Sequence, residues 1–193
     1  MRICGIDPGL RSTGWGIVRF QGNRMTWVAD GMIKPPPDAP MSERLAYIKS
    51  HLADVVKTYD PDRGAIEEIF VAKSAASALK LGMARGVAIV TMAEAGLSVD
   101  EISARRVKQN ITGSGRADKT QVSDMISRLL NITPSGVDAA DALAVAISAS
   151  NETAMAFPQT EPQSEHGGKA ANTQADGLSR AISSALSRQG GRS

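Results

Sequence analysis

The segment Val137-Asp138-Ala139-Ala140-Asp141-Ala142-Leu143-Ala144-Val145-Ala146-Ile147 constrains this chain more than any other stretch. Apart from its two aspartates it is apolar on every side of a helix, and a helix apolar all round is one buried on most of its faces. Positions 138 and 141 are related as i and i+3, so the two carboxylates share one face about a turn apart. Unpaired like charges on a buried helix cost several kcal/mol per ion, and the segment holds no Lys or Arg to neutralise them. A divalent cation would do so, because hard oxygen donors at one locus are what Mg2+ or Mn2+ binds. Complementing the helix dipole, worth about 0.3–1 kcal/mol, accounts for Asp138 alone and leaves Asp141 unexplained.

The rest of the chain supplies a sheet for that helix to cover. Arg2 to Asp7 reads as a short strand ended by Pro8-Gly9, and a second strand runs from Gly14 to Phe20. The turn Gln21-Gly22-Asn23-Arg24 returns the chain as a third strand, Met25 to Ile33, and Pro35, Pro36 and Pro37 stop it. Leu45, Ile48, Leu52, Val55 and Val56 fall at helical spacing between Ser42 and Tyr59. Arg63 to Phe70 reads as a fourth strand, Ser74 to Ala95 as a long helix with a small-residue stripe, and Ser98 to Ile102 as a fifth strand. Asp118 caps a helix in which Val122, Met125, Ile126, Leu129 and Leu130 recur on one face, and the final helix runs from Val137 to Ser148. Three strands joined by hairpins, then strands alternating with helices, describe an α/β domain with a mixed sheet covered by helices.

That domain is expected to occupy residues 1–150. Beyond Asn151, Gly, Ser, Gln, Ala and Thr dominate, so 151–193 reads as a disordered polar tail, in which Leu178, Ile182 and Leu186 form at most a transient helix. The net charge of +2 does not announce a polyanionic partner, but clustered carboxylates would hide a basic surface in that sum. Cys4 lies alone in an apolar run and reads as a buried, inert thiol. No run approaches the ~18 apolar residues of a membrane span, and Asp7 interrupts the first apolar run too early for a signal peptide. A cytoplasmic location follows as the expectation.

Two further acids stand where a fold would not willingly put them. Asp7 ends the first strand, and Glu67 follows Ala65-Ile66 in the fourth. Alone, Asp7 reads as a turn former with Pro8 and Gly9 and Glu67 as an exposed strand-end residue; Glu68 points to the opposite face. Together they gain weight. If the first and fourth strands are parallel neighbours, Asp7 and Glu67 converge at the sheet centre, where the last helix can bring Asp138 and Asp141. Four carboxylates with no His or Cys suit two Mg2+ ions roughly 4 Å apart, the arrangement for phosphodiester hydrolysis. Between Ile102 and Leu130 a basic segment carries Arg105, Arg106, Lys108, Arg116, Lys119 and Arg128 against Asp118 and Asp124. A solvated helix face is the bland reading of such a run; near a carboxylate site, neutralisation of phosphates is the stronger one.

Gly5-Ile6-Asp7-Pro8-Gly9, Ala65-Ile66-Glu67 and Asp138-Ala139-Ala140-Asp141-Ala142-Leu143-Ala144 resemble the active-site motifs of the RuvC family of Holliday-junction resolvases. So do Phe70-Val71-Ala72-Lys73, Ser77-Ala78-Leu79-Lys80-Leu81-Gly82 and Ala84-Arg85-Gly86-Val87-Ala88. The resemblance covers about residues 1 to 150. It implies a ribonuclease-H-like fold, a mixed five-stranded sheet flanked by helices, and resolution of four-way-junction DNA in recombination and repair. It implies Asp7, Glu67, Asp138 and Asp141 as catalytic ligands of two Mg2+ ions, with Mn2+ as a substitute. Lys108 and Lys119 would stand near the scissile phosphate, and Phe70 would stack on unpaired bases. Lys73, Lys80, Arg85, Arg105 and Arg116 would join the DNA surface. A homodimer is implied, since symmetric cutting needs two equivalent sites, as is a connection to the RuvA and RuvB branch-migration proteins.

Three other readings remain at this point. An actin-like ATPase or sugar kinase also opens with a strand, an Asp and a Gly-containing hairpin, but needs a second similar half that 193 residues leave no room for. A non-catalytic junction-binding protein would not need all four carboxylates. A ribonuclease H acting on hybrids shares the metal chemistry and differs only in substrate.

Overall fold

The structure, a computed structural model, describes residues 1–68 and 74–156, with side chains to residue 150. Its sheet is built from β1 (Arg2–Asp7), β2 (Thr13–Gln21), β3 (Arg24–Ile33), β4 (Arg63–Glu67) and β5 (Val99–Ile102). The spatial order is β3-β2-β1-β4-β5. β1 pairs antiparallel with β2 and parallel with β4, while β2–β3 is antiparallel and β4–β5 parallel. The mixed five-stranded sheet expected from the hairpin-then-crossover pattern is therefore present, with β1 at its centre.

Each face has its own core, as the two-residue period of strands requires. Ile3, Val18 and Ala65 point toward α3 (Ala104–Thr112), α4 (Lys119–Leu130) and α5 (Val137–Ala156), against Val107, Ile126 and Leu143. Cys4, Ile6, Ile17 and Ile66 point the other way, toward α1 (Met41–Tyr59) and α2 (Ala75–Glu94), against Ile48, Leu52, Ala88 and Met92. Burying a side chain such as Leu143 or Ile48 contributes about 1.5–3 kcal/mol each, and both are fully buried. Cys4 is buried as expected, and burial pushes its thiol up to about 12, which keeps it protonated and unreactive.

Four expectations need correction. The sequence reading assigns no element between Ile102 and Asp118, but Val107 and Ile111, one turn apart, bury into the core and make α3 a helix, closed by Gly113 in the left-handed conformation. α5 does not stop at Ser148 but continues to Ala156, because no Gly or Pro intervenes until Pro158. The compositional change at Asn151 was thus not the helix boundary. β4 ends at Glu67, and Glu68 already lies outside the strand. By length and composition α2 is apolar enough to cross a membrane, which a search for unbroken apolar runs misses because Lys80 and Arg85 interrupt it. In this fold it packs on α1 and carries Ala84, Ala88 and Met92 into the core.

Candidate active site

Alternation along the two central strands decides which way the acids point. In β1, Ile3 faces the α5 side while Cys4 and Ile6 face the other, so Asp7 projects toward α5. In β4, Ala65 faces α5 and Ile66 does not, so Glu67 also projects toward α5. The strands pair Gly5 with Ala65 and Ile6 with Ile66, and one further step in that register sets Asp7 beside Glu67.

Helix α5 reaches the same spot because the strands beneath it lack side chains. A β-carbon at Gly5 would collide with the Ala142 carbonyl oxygen, and one at Gly14 with the Asp138 carbonyl oxygen. Gly14 is the cross-strand partner of Asp7, so the first turn of α5 rests directly beside the first acid. The loop entering α5 is tied down as well: Ser135 N–H donates to Asp30 Oδ2 at 2.7 Å, and Trp27 Nε1 donates to Asp30 Oδ1 at 2.8 Å.

The remaining wall comes from α3 and α4. Asp118 begins α4 with a capping box: Gln121 N–H donates to its Oδ1 at 2.9 Å, and its own N–H donates to Gln121 Oε1 at 3.0 Å. Lys119 thus becomes the first helical residue, and its Nζ donates to Asp141 Oδ2 at 2.7 Å. The result is a cavity of about 310 Å3 lined by Asp7, Glu67 and Asp141 together with Lys108, Lys119, Ala104, Val107 and Val122. Asp138 lies one turn earlier and lines a neighbouring cavity with Lys80 and Arg44. Three of the four acids therefore share one cleft, and the fourth stands at its border.

Charge in this cleft is poorly compensated. Burial, then the neighbouring Asp141 and Glu67, push Asp7 up to about 7 despite the opposing pull of Lys119. Glu67 is raised for the same reasons, burial first and Asp141 second, with Lys119 and Lys108 pulling it down. Lys119 is raised, chiefly by its hydrogen bond to Asp141, so it remains a cation. The donor set is all hard carboxylate oxygen, which suits a divalent cation such as Mg2+, and such an ion would relieve the strain that lifts Asp7. Among the described residues no three acids, His or Cys yet form a ligand cluster. Lys119 is paired with Asp141 at this cleft.

Of the basic residues, Arg105 and Arg116 are exposed and frame a groove with Gln109 and Gly115. Lys80 is exposed on α2. Arg85 is placed differently: its Nε donates to the Glu67 carbonyl oxygen at 3.1 Å, and its guanidinium pairs with Glu101. Sequence reasoning missed that anchoring role, and a lone Arg on a helix carries no signal for it. Phe70 and Lys73 lie outside the described residues.

A sequence model described as crossover junction endodeoxyribonuclease RuvC matches residues 3–149. The RuvC of Maricaulis maris is 52% identical over 147 residues, covering 76% of this chain and 89% of that protein. The RuvC of Azorhizobium caulinodans is 53% identical over 148 residues, covering 76% and 88%. Among solved structures, Thermus thermophilus RuvC in complex with a Holliday junction substrate is similar with a TM-score of 0.76 and 31% identity, covering 81% of this chain and 96% of that one. The yeast mitochondrial Holliday junction resolvase, with a TM-score of 0.54 and 11% identity over 76% of this chain and 77% of that one, shares the fold alone. These neighbours bear out the ribonuclease-H-like architecture. A family match across most of the domain that holds the acidic cleft, joined by relatives half identical to it, establishes that this chain belongs to the RuvC family of crossover junction endodeoxyribonucleases.

Proposed function

We propose that this chain resolves Holliday junctions in DNA recombination and repair, hydrolysing one phosphodiester in each of two strands. The observation that carries the reading is the cleft in which Asp7, Glu67 and Asp141 face Lys108 and Lys119. Acids that bind metal and bases that bind phosphate meet there at one end of a rigid sheet. Family membership and the solved relative bound to a junction substrate support the same substrate.

In this reading Asp7, Glu67, Asp138 and Asp141 hold two Mg2+ ions, which Mn2+ replaces. When bound, the metal pair supplies an activated water and neutralises charge on the attacking and leaving oxygens. Lys119 stays protonated through its contact with Asp141 and meets the scissile phosphate as a cation. Lys108 approaches from α3 on the same wall. Arg105, Arg116 and Lys80, all exposed, serve the DNA backbone outside the cleft, while Lys73 and a stacking role for Phe70 rest on the family resemblance. The cytoplasm, where chromosomal DNA is found, is the inferred compartment.

A homodimer completes the scheme, because a two-fold pair presents two equivalent sites to a symmetric junction. The face of α2 supports this: Leu79, Met83 and Val90 are exposed there, 63%, 38% and 51% respectively, and open space lies over Gly82 and Gly86.

The test offers a four-way junction, a matched duplex and an RNA–DNA hybrid, each with Mg2+ or EDTA. Symmetric paired cuts in the junction, only with Mg2+, are expected. Preferential cutting of the hybrid would replace the resolvase reading with a ribonuclease H one, and undiminished cutting in EDTA would end the metal mechanism.

A further inference from the structure

We propose that Arg11, Ser12, Arg44 and Lys80 form a second phosphate-binding subsite, on the far side of Asp138 from the cleft, for a DNA phosphodiester near the one being cut. The proposal rests on the junction-cleaving reading and adds to it a set of contacts for the strand that leaves the cleft.

The cavity, about 630 Å3, lies between the turn that follows β1 and the N-terminal end of α2. Arg11, Arg44 and Lys80 line it, and Asp138 is the one carboxylate among its lining residues. No ion pair engages Arg11, Arg44 or Lys80 among the described residues. Three cations therefore face one acid. Ser77, in the first turn of α2, also lines the cavity, so the positive end of a 20-residue helix contributes in the same direction.

Two unmet donors point to what is bound there. Ser12 Oγ and Arg44 Nε are both buried without a hydrogen-bond partner, and both residues border this cavity. Buried polar atoms are almost always partnered, so orphaned ones call for an explanation. An anion rich in acceptor oxygens supplies one. The arrangement is also held in advance of binding: Arg44 Nη2 donates to the Leu10 carbonyl oxygen at 2.7 Å, and Thr13 Oγ1 donates to the Gly9 carbonyl oxygen at 2.7 Å. The turn carrying Arg11 and Ser12 is thereby fixed to the guanidinium beneath it. A planar Arg fork with a hydroxyl and a flexible Lys is the donor chemistry that recognises phosphate. The other flank of Asp138 is the acidic cleft, so a strand entering there passes this subsite within a short distance along its backbone.

The experiment measures four-way-junction binding by the full chain in EDTA across a salt series, alongside cleavage in Mg2+. Arg11→Ala/Lys80→Ala removes two exposed side chains without disturbing the core, and Arg44→Gln removes the half-buried guanidinium. Both variants should bind the junction about tenfold more weakly. The slope of log affinity against log salt should shrink by roughly one, the value for one neutralised phosphate. The double variant, folded with an unchanged melting temperature, giving wild-type affinity and slope would overturn the subsite even if Arg44→Gln fails to fold. Wild-type protein that neither binds nor cuts a junction would bring down the functional reading beneath it, and the subsite with it.

Discussion

Lys119 and Asp141 join two helices across the cleft, Nζ to Oδ2 at 2.7 Å. The pair is asymmetric in exposure: the lysine side chain is 68% exposed and the aspartate side chain 15%. Exposed ion pairs add little to stability, so the contact does not hold α4 to α5; Val122 and Ile126 packing beneath α5 do that. What the contact does is place a permanent cation against a carboxylate that Asp7 and Glu67 already crowd. Lys119 and a divalent metal then compete for the same oxygen, and the lysine is free to turn to phosphate once a metal holds Asp141.

Lys119→Ala should therefore separate two properties. Cleavage of a junction at saturating Mg2+ should fall by on the order of 10²–10³, the usual loss for one donor to developing charge. The rise in melting temperature produced by Mg2+ should persist or grow, because a competitor for Asp141 is gone. Single-turnover rates and a Mg2+ thermal-shift titration read the two. A vanished Mg2+ shift would mean that the lysine supports the metal site instead of competing with it.

The pH dependence follows from Asp7. Its folded-state pKa, about 7, lies above the ordinary 3.8, so the folded protein binds this proton more tightly than the unfolded chain does. Stability in EDTA should then fall as pH rises from about 4 through 7, with Glu67, raised in the same direction, adding to the trend. Asp7→Asn removes the unwelcome ionisation. The variant should melt above wild type at about pH 8, the difference should fade toward about pH 4, and cleavage should be abolished with junction binding kept. Mg2+ should stabilise wild type more at about pH 8 than at about pH 6, because its ligands must be deprotonated. A variant that melts at or below wild type at the higher pH would show that Asp7 carries no penalty there.

These acids were legible in the sequence because each broke a period. Asp7 ended an apolar strand, Glu67 closed the apolar run Ala65-Ile66 within one, and Asp138 and Asp141 interrupted a helix with no polar face. The parallel pairing of β1 and β4, on which their convergence depends, stood only as a condition in the sequence and is supplied by the structure. α3 was not legible, because Arg105, Arg106, Lys108 and Gln109 crowd a nine-residue helix whose apolar signal is only Val107 and Ile111. Contacts made across elements left no local trace: Lys119 with Asp141, Asp30 with Ser135, Arg85 with Glu67. Nor did the spacing of Asp138 and Asp141 reveal that the first borders a different cavity, since i and i+3 fix a shared face but not what lies opposite each residue. Gly14 sits between these cases. It is visible as a glycine in a strand, yet its purpose appears only when α5 is laid on top of it.

Gly14→Ala tests that seating. Its β-carbon would meet the Asp138 carbonyl oxygen, a backbone atom that cannot swing aside. Overpacking typically costs about 1–3 kcal/mol, and contact with rigid backbone puts this variant at the upper end, with α5 and both its aspartates displaced from Asp7. Denaturant titration should show the loss, and junction cleavage should fall with it. Wild-type stability and activity in Gly14→Ala would mean that α5 can lift without consequence for the acids.

Arg85 is the residue whose expected role the structure changes most. Sequence similarity put it on the DNA surface, but its side chain is only 18% exposed and pairs with Glu101, while Nε donates to the Glu67 carbonyl oxygen. It ties the end of β4, and so the Glu67 carboxylate, to β5 and α2. Arg85→Ala should lower Mg2+ affinity and cleavage together, by about tenfold, in the range seen when a group that orients a metal ligand is lost. The salt dependence of junction binding should stay at the wild-type slope, because no phosphate contact is removed. Arg85→Lys keeps the charge but lacks the planar fork that reaches both partners, and should recover only part of the loss. A salt slope reduced by about one, with Mg2+ affinity unchanged, would return Arg85 to the DNA surface and leave Glu67 positioned by its strand alone.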